Sequence, residues 1–75
     1  MYKSKLHEWL RKAHKLEQET VAKNADVKLH YMKRLARRDV PDPGLYTCRR
    51  IVAAITEHNL MQPDNRLPEI TLEDL

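Results

Sequence analysis

The chain's one glycine and three of its four prolines fall in two clusters, Pro41-Asp42-Pro43-Gly44 and Asn59 to Pro63. Proline removes a backbone donor and fixes φ, and glycine supplies conformations closed to other residues, so regular structure must stop at both places. Elsewhere the apolar residues recur three and four apart, and no stretch alternates apolar with polar in the manner of a half-buried strand. These features together predict an all-α fold of four to five helices.

The segments follow from local signals. Leu6, Trp9, Leu10 and Ala13 share one helical face behind Ser4, a good N-cap, which predicts a helix over about 4–14. Gln18 to Ala25 carries Val21, Ala22 and Ala25 on one side, a break follows at Asp26-Val27, and helical spacing resumes over Lys28 to Arg37. Asp42 suits an N-cap and Pro43 a first helical position, opening a helix to about His58 with Leu45, Cys48, Ile51, Val52 and Ile55 as its stripe. Ile70 to Leu75 resembles the start of a short helix capped by Thr71. The organisation expected is one domain over residues 1–59 and a segment over 60–75 that forms either a fifth helix or a dimer contact.

Composition excludes more than it selects. A chain of 75 residues has one small core and buries only about 60% of the surface its unfolded form exposes. Cys48 is the only cysteine, which rules out an internal disulfide and fits a reducing compartment. The charged N-terminal residues and the lack of a long apolar run argue against a signal sequence or membrane span, so a cytoplasmic location with no membrane partner is expected. His7-Glu8 is followed by Arg11 where the zinc-protease pattern needs a second histidine, and His7, His14, His30 and His58 have no closing Cys or carboxylate spacing. With Ser4 the only serine and no glycine-rich loop, neither an enzyme nor a cofactor, metal or small-molecule ligand is expected. Trp9 is assigned to the core by its place beside Leu6, Leu10 and Ala13, and Cys48 reads as a small buried hydrophobe.

The net charge of +3 is mild, but its distribution is not. Residues 1–38 hold 11 basic and 4 acidic side chains, for +7, and residues 39–75 hold 3 basic and 7 acidic, for −4. A basic end either solvates helix surfaces or meets a polyanion. On a wheel of about 100° per residue, Met32, Leu35, Ala36 and Leu29 make one inward stripe, while Lys33, Arg37, His30 and Arg34 lie about 100° to 200° from Met32. The outward face of that segment is wholly basic or imidazole. Two short helices joined by a tight break, the basic one second, is the plan of a helix-turn-helix, with Ala22 small where the helices approach and Val27 filling the angle between them.

The stretch Leu16-Glu17-Gln18-Glu19-Thr20-Val21-Ala22, followed by Asp26-Val27 and Met32-Lys33-Arg34-Leu35, resembles the Cro/repressor (Xre-like) family of DNA-binding regulators. The resemblance extends through Pro41-Asp42-Pro43 and Arg50 to Ile55, roughly residues 5–58, and implies a helix-turn-helix domain of the phage-repressor type. Where the family usually has glycine in the turn this chain has Asp26, which must then accept a left-handed conformation, and Glu17 stands where a Ser or Thr cap is usual. By this resemblance Lys28 to Arg37 is a recognition helix, with Lys28, His30, Lys33 and Arg34 as base-contacting residues and Gln18, Arg37 and Arg38 as phosphate contacts. Arg34 is the first choice for a bidentate guanine contact. The function implied is a sequence-specific regulator of transcription that binds double-stranded DNA as a homodimer on a palindromic operator, in a bacterial or phage-infected cell and at the nucleoid when bound. The alternative is a protein-interaction module of antitoxin-like or host-factor-binding type that keeps the fold. Leu60, Met61, Leu67, Ile70, Leu72 and Leu75 are too apolar for a free tail, so they either fold back or meet a second subunit.

Overall fold

The computed structural model describes residues 4–62, 64 and 66–75; Pro63, part of the second proline cluster, lies outside the described residues. These form four α-helices, α1 (Lys5–Lys12), α2 (Lys15–Asn24), α3 (Leu29–Ala36) and α4 (Leu45–Leu60), and a closing 3-10 turn, Leu72–Asp74, with no strand among the described residues.

Each helix end has a local cause. Ser4 caps α1 by accepting the His7 N–H at its Oγ, and the same hydroxyl donates to the Ala36 carbonyl at 3.0 Å, so the cap also ties α1 to the end of α3. The second helix begins three residues earlier than the Gln18 read from sequence. Its N-cap is His14, whose backbone N–H donates to Glu17 Oε1 at 3.0 Å, half of a capping box. Glu17 therefore acts from inside the first turn and not as the cap itself. At the other end of α2, Val27 N–H bonds the Ala22 carbonyl and Asp26 N–H bonds that of Lys23, a Schellman closure around Asp26 at φ +58°. The expected left-handed Asp26 is borne out. The end of α3 repeats the motif: Asp39 N–H reaches Arg34, Arg38 N–H reaches Leu35, and Arg38 takes φ +60°.

The start of α4 differs from the sequence reading. Asp42 and Pro43 stay outside the helix, and Gly44, at φ +76°, is the N-cap. That conformation favours glycine, and the Pro43 carbonyl is meanwhile taken by the Tyr31 hydroxyl at 3.2 Å. The C-terminal segment folds back as a single 3-10 turn, with Asp74 Oδ2 accepting from both the backbone N–H and the hydroxyl of Thr71. Those two bonds hold the Asp74 carboxyl below its ordinary range.

Leu6, Trp9, Val21, Met32, Ile51 and Ile55 are fully buried at the junction of the four helices. Leu67 and Ile70 join them, so part of the C-terminal segment is core. Trp9 is core as expected, its indole N–H donating to Asn59 Oδ1 at 2.9 Å, while Asn59 Nδ2 in turn donates to the Pro68 carbonyl. Ala22, 3% exposed, is buried on α2, which packs on α3 and α4. Cys48 is buried, which pushes its thiol above the ordinary value and keeps it inert. No helix among the described residues is long and apolar enough to cross a membrane.

Candidate nucleic-acid interface

The inward stripe of α3 falls as the wheel requires: Met32, Leu35 and Ala36 are buried and Leu29 is partly so. The opposite face is thereby presented to solvent, and His30, Lys33 and Arg37 are all exposed on it, with Lys28 exposed at the N-cap. Residues 28–38 contain no carboxylate. Lys28, His30, Lys33 and Arg37 are thus the exposed cationic and imidazole side chains of this one helix and its two caps, Lys28 and His30 toward one flank and Lys33 and Arg37 toward the other. The helix is anchored at one end by the Schellman turn and at the other by the Ser4–Ala36 bond.

Arg34 is brought near this face but is engaged elsewhere. Its Nη2 donates to the Asp39 carbonyl at 3.2 Å and its Nε lies 3.4 Å from Asp39 Oδ2. A guanine contact would require the guanidinium to leave Asp39, a move of modest cost because the pair is about half exposed. Arg38, the left-handed residue of the second Schellman closure, is exposed just past the helix.

Gln18 sits otherwise than a free phosphate ligand would. Its side-chain amide donates to the carbonyls of Leu10 at 2.6 Å and Ala13 at 3.2 Å, closing the C-terminal end of α1. Both amide hydrogens are then used, and the atom left over, Oε1, is an acceptor that does not recognise an anion. In this geometry Gln18 positions α1 against α2, and a direct phosphate contact from its amide would cost it at least one of these bonds.

Two clefts flank α3. One, of about 420 Å³, lies on the α4 side and is lined by Lys28, His30, Tyr31, Arg34 and Arg50. The other, of about 240 Å³, lies on the α1 side, where His7 and Arg11 face Lys33 and Arg37, with Gln18 at the edge. Among the described residues no group of His, Cys, Asp and Glu is placed to hold a metal ion.

Sequence reasoning missed two sets of contacts, the first of them at the edge of this surface. Arg50, one α-turn from Tyr46, donates its Nε to the Ala25 carbonyl at 3.0 Å and lies 5.0 Å over the Tyr46 ring. Glu17 is the hub of a second cluster. It accepts from His58 Nε2 at 2.8 Å and from the Arg66 guanidinium, and Arg66 also donates to the Lys12 carbonyl. Arg66, chiefly, and the His14 and His58 bonds hold the Glu17 carboxyl down at about 2. No local signal marks either contact, since the partners lie 25 to 49 residues apart.

Comparison with protein-family models, with curated proteins and with solved structures gave no match.

Proposed function

We propose that this chain is a sequence-specific double-stranded DNA-binding regulator of the helix-turn-helix, phage-repressor type, with α3 lying in the major groove. The observation that carries the reading is the exposed, carboxylate-free face of α3 formed by Lys28, His30, Lys33 and Arg37. It follows a tight turn that fixes its angle to α2. A helix of this width fills a major groove, and its first turns meet base edges. Lys28 and His30 stand at that N-terminal end, and Arg34 adds a guanine contact on release from Asp39. Arg37 and Arg38 lie past those turns, where phosphates are met.

One copy reads too few base pairs for selectivity in a genome, so the reading includes a homodimer on a palindromic operator. With Leu67 and Ile70 turned into the core, the most exposed apolar side chains at this end among the described residues are Leu60 and Met61, 81% and 76% exposed at the close of α4. These two side chains are the candidate dimer contact. They equally suit the alternative, a module that docks on another protein, and sedimentation of the purified chain with and without duplex separates the two.

The direct test is a salt titration of binding to random-sequence duplex. A regulator binds non-specifically with Kd of about 10⁻⁴–10⁻⁶ M at physiological salt and a steep negative slope of log K against log salt. Selection from random duplex DNA then returns two half-sites in inverted repeat. Absence of salt-dependent binding would remove the DNA reading and leave the protein-docking one.

A further inference from the structure

The two clefts beside α3 differ in what already occupies their cations. On the α4 side both arginines are engaged, Arg34 with Asp39 and Arg50 with the Ala25 carbonyl and the Tyr46 ring, which leaves Lys28 and His30 as the other basic groups of that cleft. On the α1 side, His7 and Arg11 face Lys33 and Arg37 over a floor of Leu10 and Ala36, and no carboxylate lines the cleft. The side chains of these four residues carry no hydrogen bond or ion pair among the described residues. Glu8, the acid nearest in sequence on α1, is drawn to Lys12 at 3.2 Å.

Lys33, in the last turn of α3, and Arg37, its C-cap, stand four apart, a like-charge spacing whose repulsion a bound anion relieves. The walls are also fixed. Ser4 bonds α1 to the end of α3, and Gln18 bonds the C-terminal carbonyls of α1 to α2, so the guanidinium of Arg11 is delivered to α3 by a braced frame.

We propose that the α1–α3 cleft seats a backbone phosphodiester of duplex DNA, with Arg11 and Arg37 as its principal ligands and Lys33 and His7 at its rim. The inference rests on the reading of α3 as a groove-bound helix. A helix about 10–12 Å across in a major groove about 12 Å wide has a phosphate ridge along each side, which is where this cleft opens. It makes α1 a second contact element beside α3, and it reassigns Lys33 from base reading to the backbone.

The test is the salt dependence of binding to a random-sequence duplex of 20 base pairs, measured for the full chain and three variants. Loss of one phosphate contact lowers the magnitude of the log–log slope by about 0.9. Arg11→Ala is expected to show that loss and Arg11→Lys to restore it, because a phosphate accepts either cation. Arg49→Ala removes an exposed arginine of α4 that lines neither cleft, and its slope is expected to match the parent chain. A parent-like slope for Arg11→Ala, or an equal loss for Arg49→Ala, overturns the cleft assignment while the DNA reading stands. Failure of the parent chain to bind the duplex at any salt overturns both.

Discussion

Arg50 Nε donates to the Ala25 carbonyl at 3.0 Å, so a side chain of α4 closes the last turn of α2 one residue before Asp26 turns left-handed. The angle between α2 and α3 is thus set from outside the hairpin as well as by its own Schellman bonds. Removing the guanidinium leaves a helix-end carbonyl without its charged donor.

Arg50→Ala is therefore expected to lower stability by about 1.5 kcal/mol, the low end for a hydrogen bond to a charged group because the site is partly exposed. Thermal unfolding measures the loss. Duplex affinity is expected to fall as well, through misplacement of α3, and an unchanged melting temperature would show that the turn holds itself.

At the turn, Asp26→Gly relieves a left-handed conformation and is expected to raise stability by a few tenths to about 1 kcal/mol, the gain limited by the looser unfolded chain. Ala22→Leu is expected to cost about 1–3 kcal/mol by overpacking the α2–α3 contact. Chemical denaturation of both variants checks the pair, and a harmless Ala22→Leu would contradict close approach of the two helices.

The hairpin was legible in the sequence because its signals are local: Asp26-Val27 after a short helix, the small buried Ala22, and the stripe of Met32, Leu35 and Ala36. The first proline cluster does break the chain between α3 and α4, but α4 begins two residues later than its residue types suggest. Asp42-Pro43 has the residue types of a cap and first turn, and only the backbone reveals that Gly44 takes the positive φ that ends the loop. Gln18 was legible as a residue with a task, though the task here is bonding carbonyls of α1. The Glu17 cluster was not legible at all. A carboxylate in a first turn looks like a dipole partner, and its bonds to His58 and Arg66 depend on how the distant segment folds back.

That cluster makes a prediction about acid. The folded-state value of Glu17 is lowered from 4.5 to about 2, so the unfolded chain takes up the proton first as pH falls. Its contribution is complete above about pH 5 and is lost progressively as pH drops through 4.5 toward 2. Glu17→Gln is expected to cost about 1.5–3 kcal/mol at pH 7, the range for hydrogen bonds to a charged group, and much less at pH 2. Denaturant unfolding at the two pH values measures the difference, and an equal cost at both would show that the carboxylate charge is not what Arg66 and His58 bind.

Asp39 restrains Arg34 and adds negative charge at the edge of the basic face. Asp39→Asn is expected to tighten random-duplex binding by up to about fivefold, the equivalent of about 1 kcal/mol for an exposed pair. Fluorescence anisotropy at fixed salt checks it, and weaker binding would mean that Asp39 holds Arg34 in its productive position.

The central claim, that α3 presents the surface for duplex DNA, is tested most directly by titrating the ¹⁵N-labelled chain with a random-sequence duplex at about 50 mM salt, where non-specific binding is strong. The account predicts amide shift changes along residues 28–38 and at the α1 face carrying His7 and Arg11, with little change over the C-terminal half of α4 and the 3-10 turn. No saturable change up to about 10⁻⁴ M duplex, or changes confined to α4 and the C-terminal turn, would contradict it.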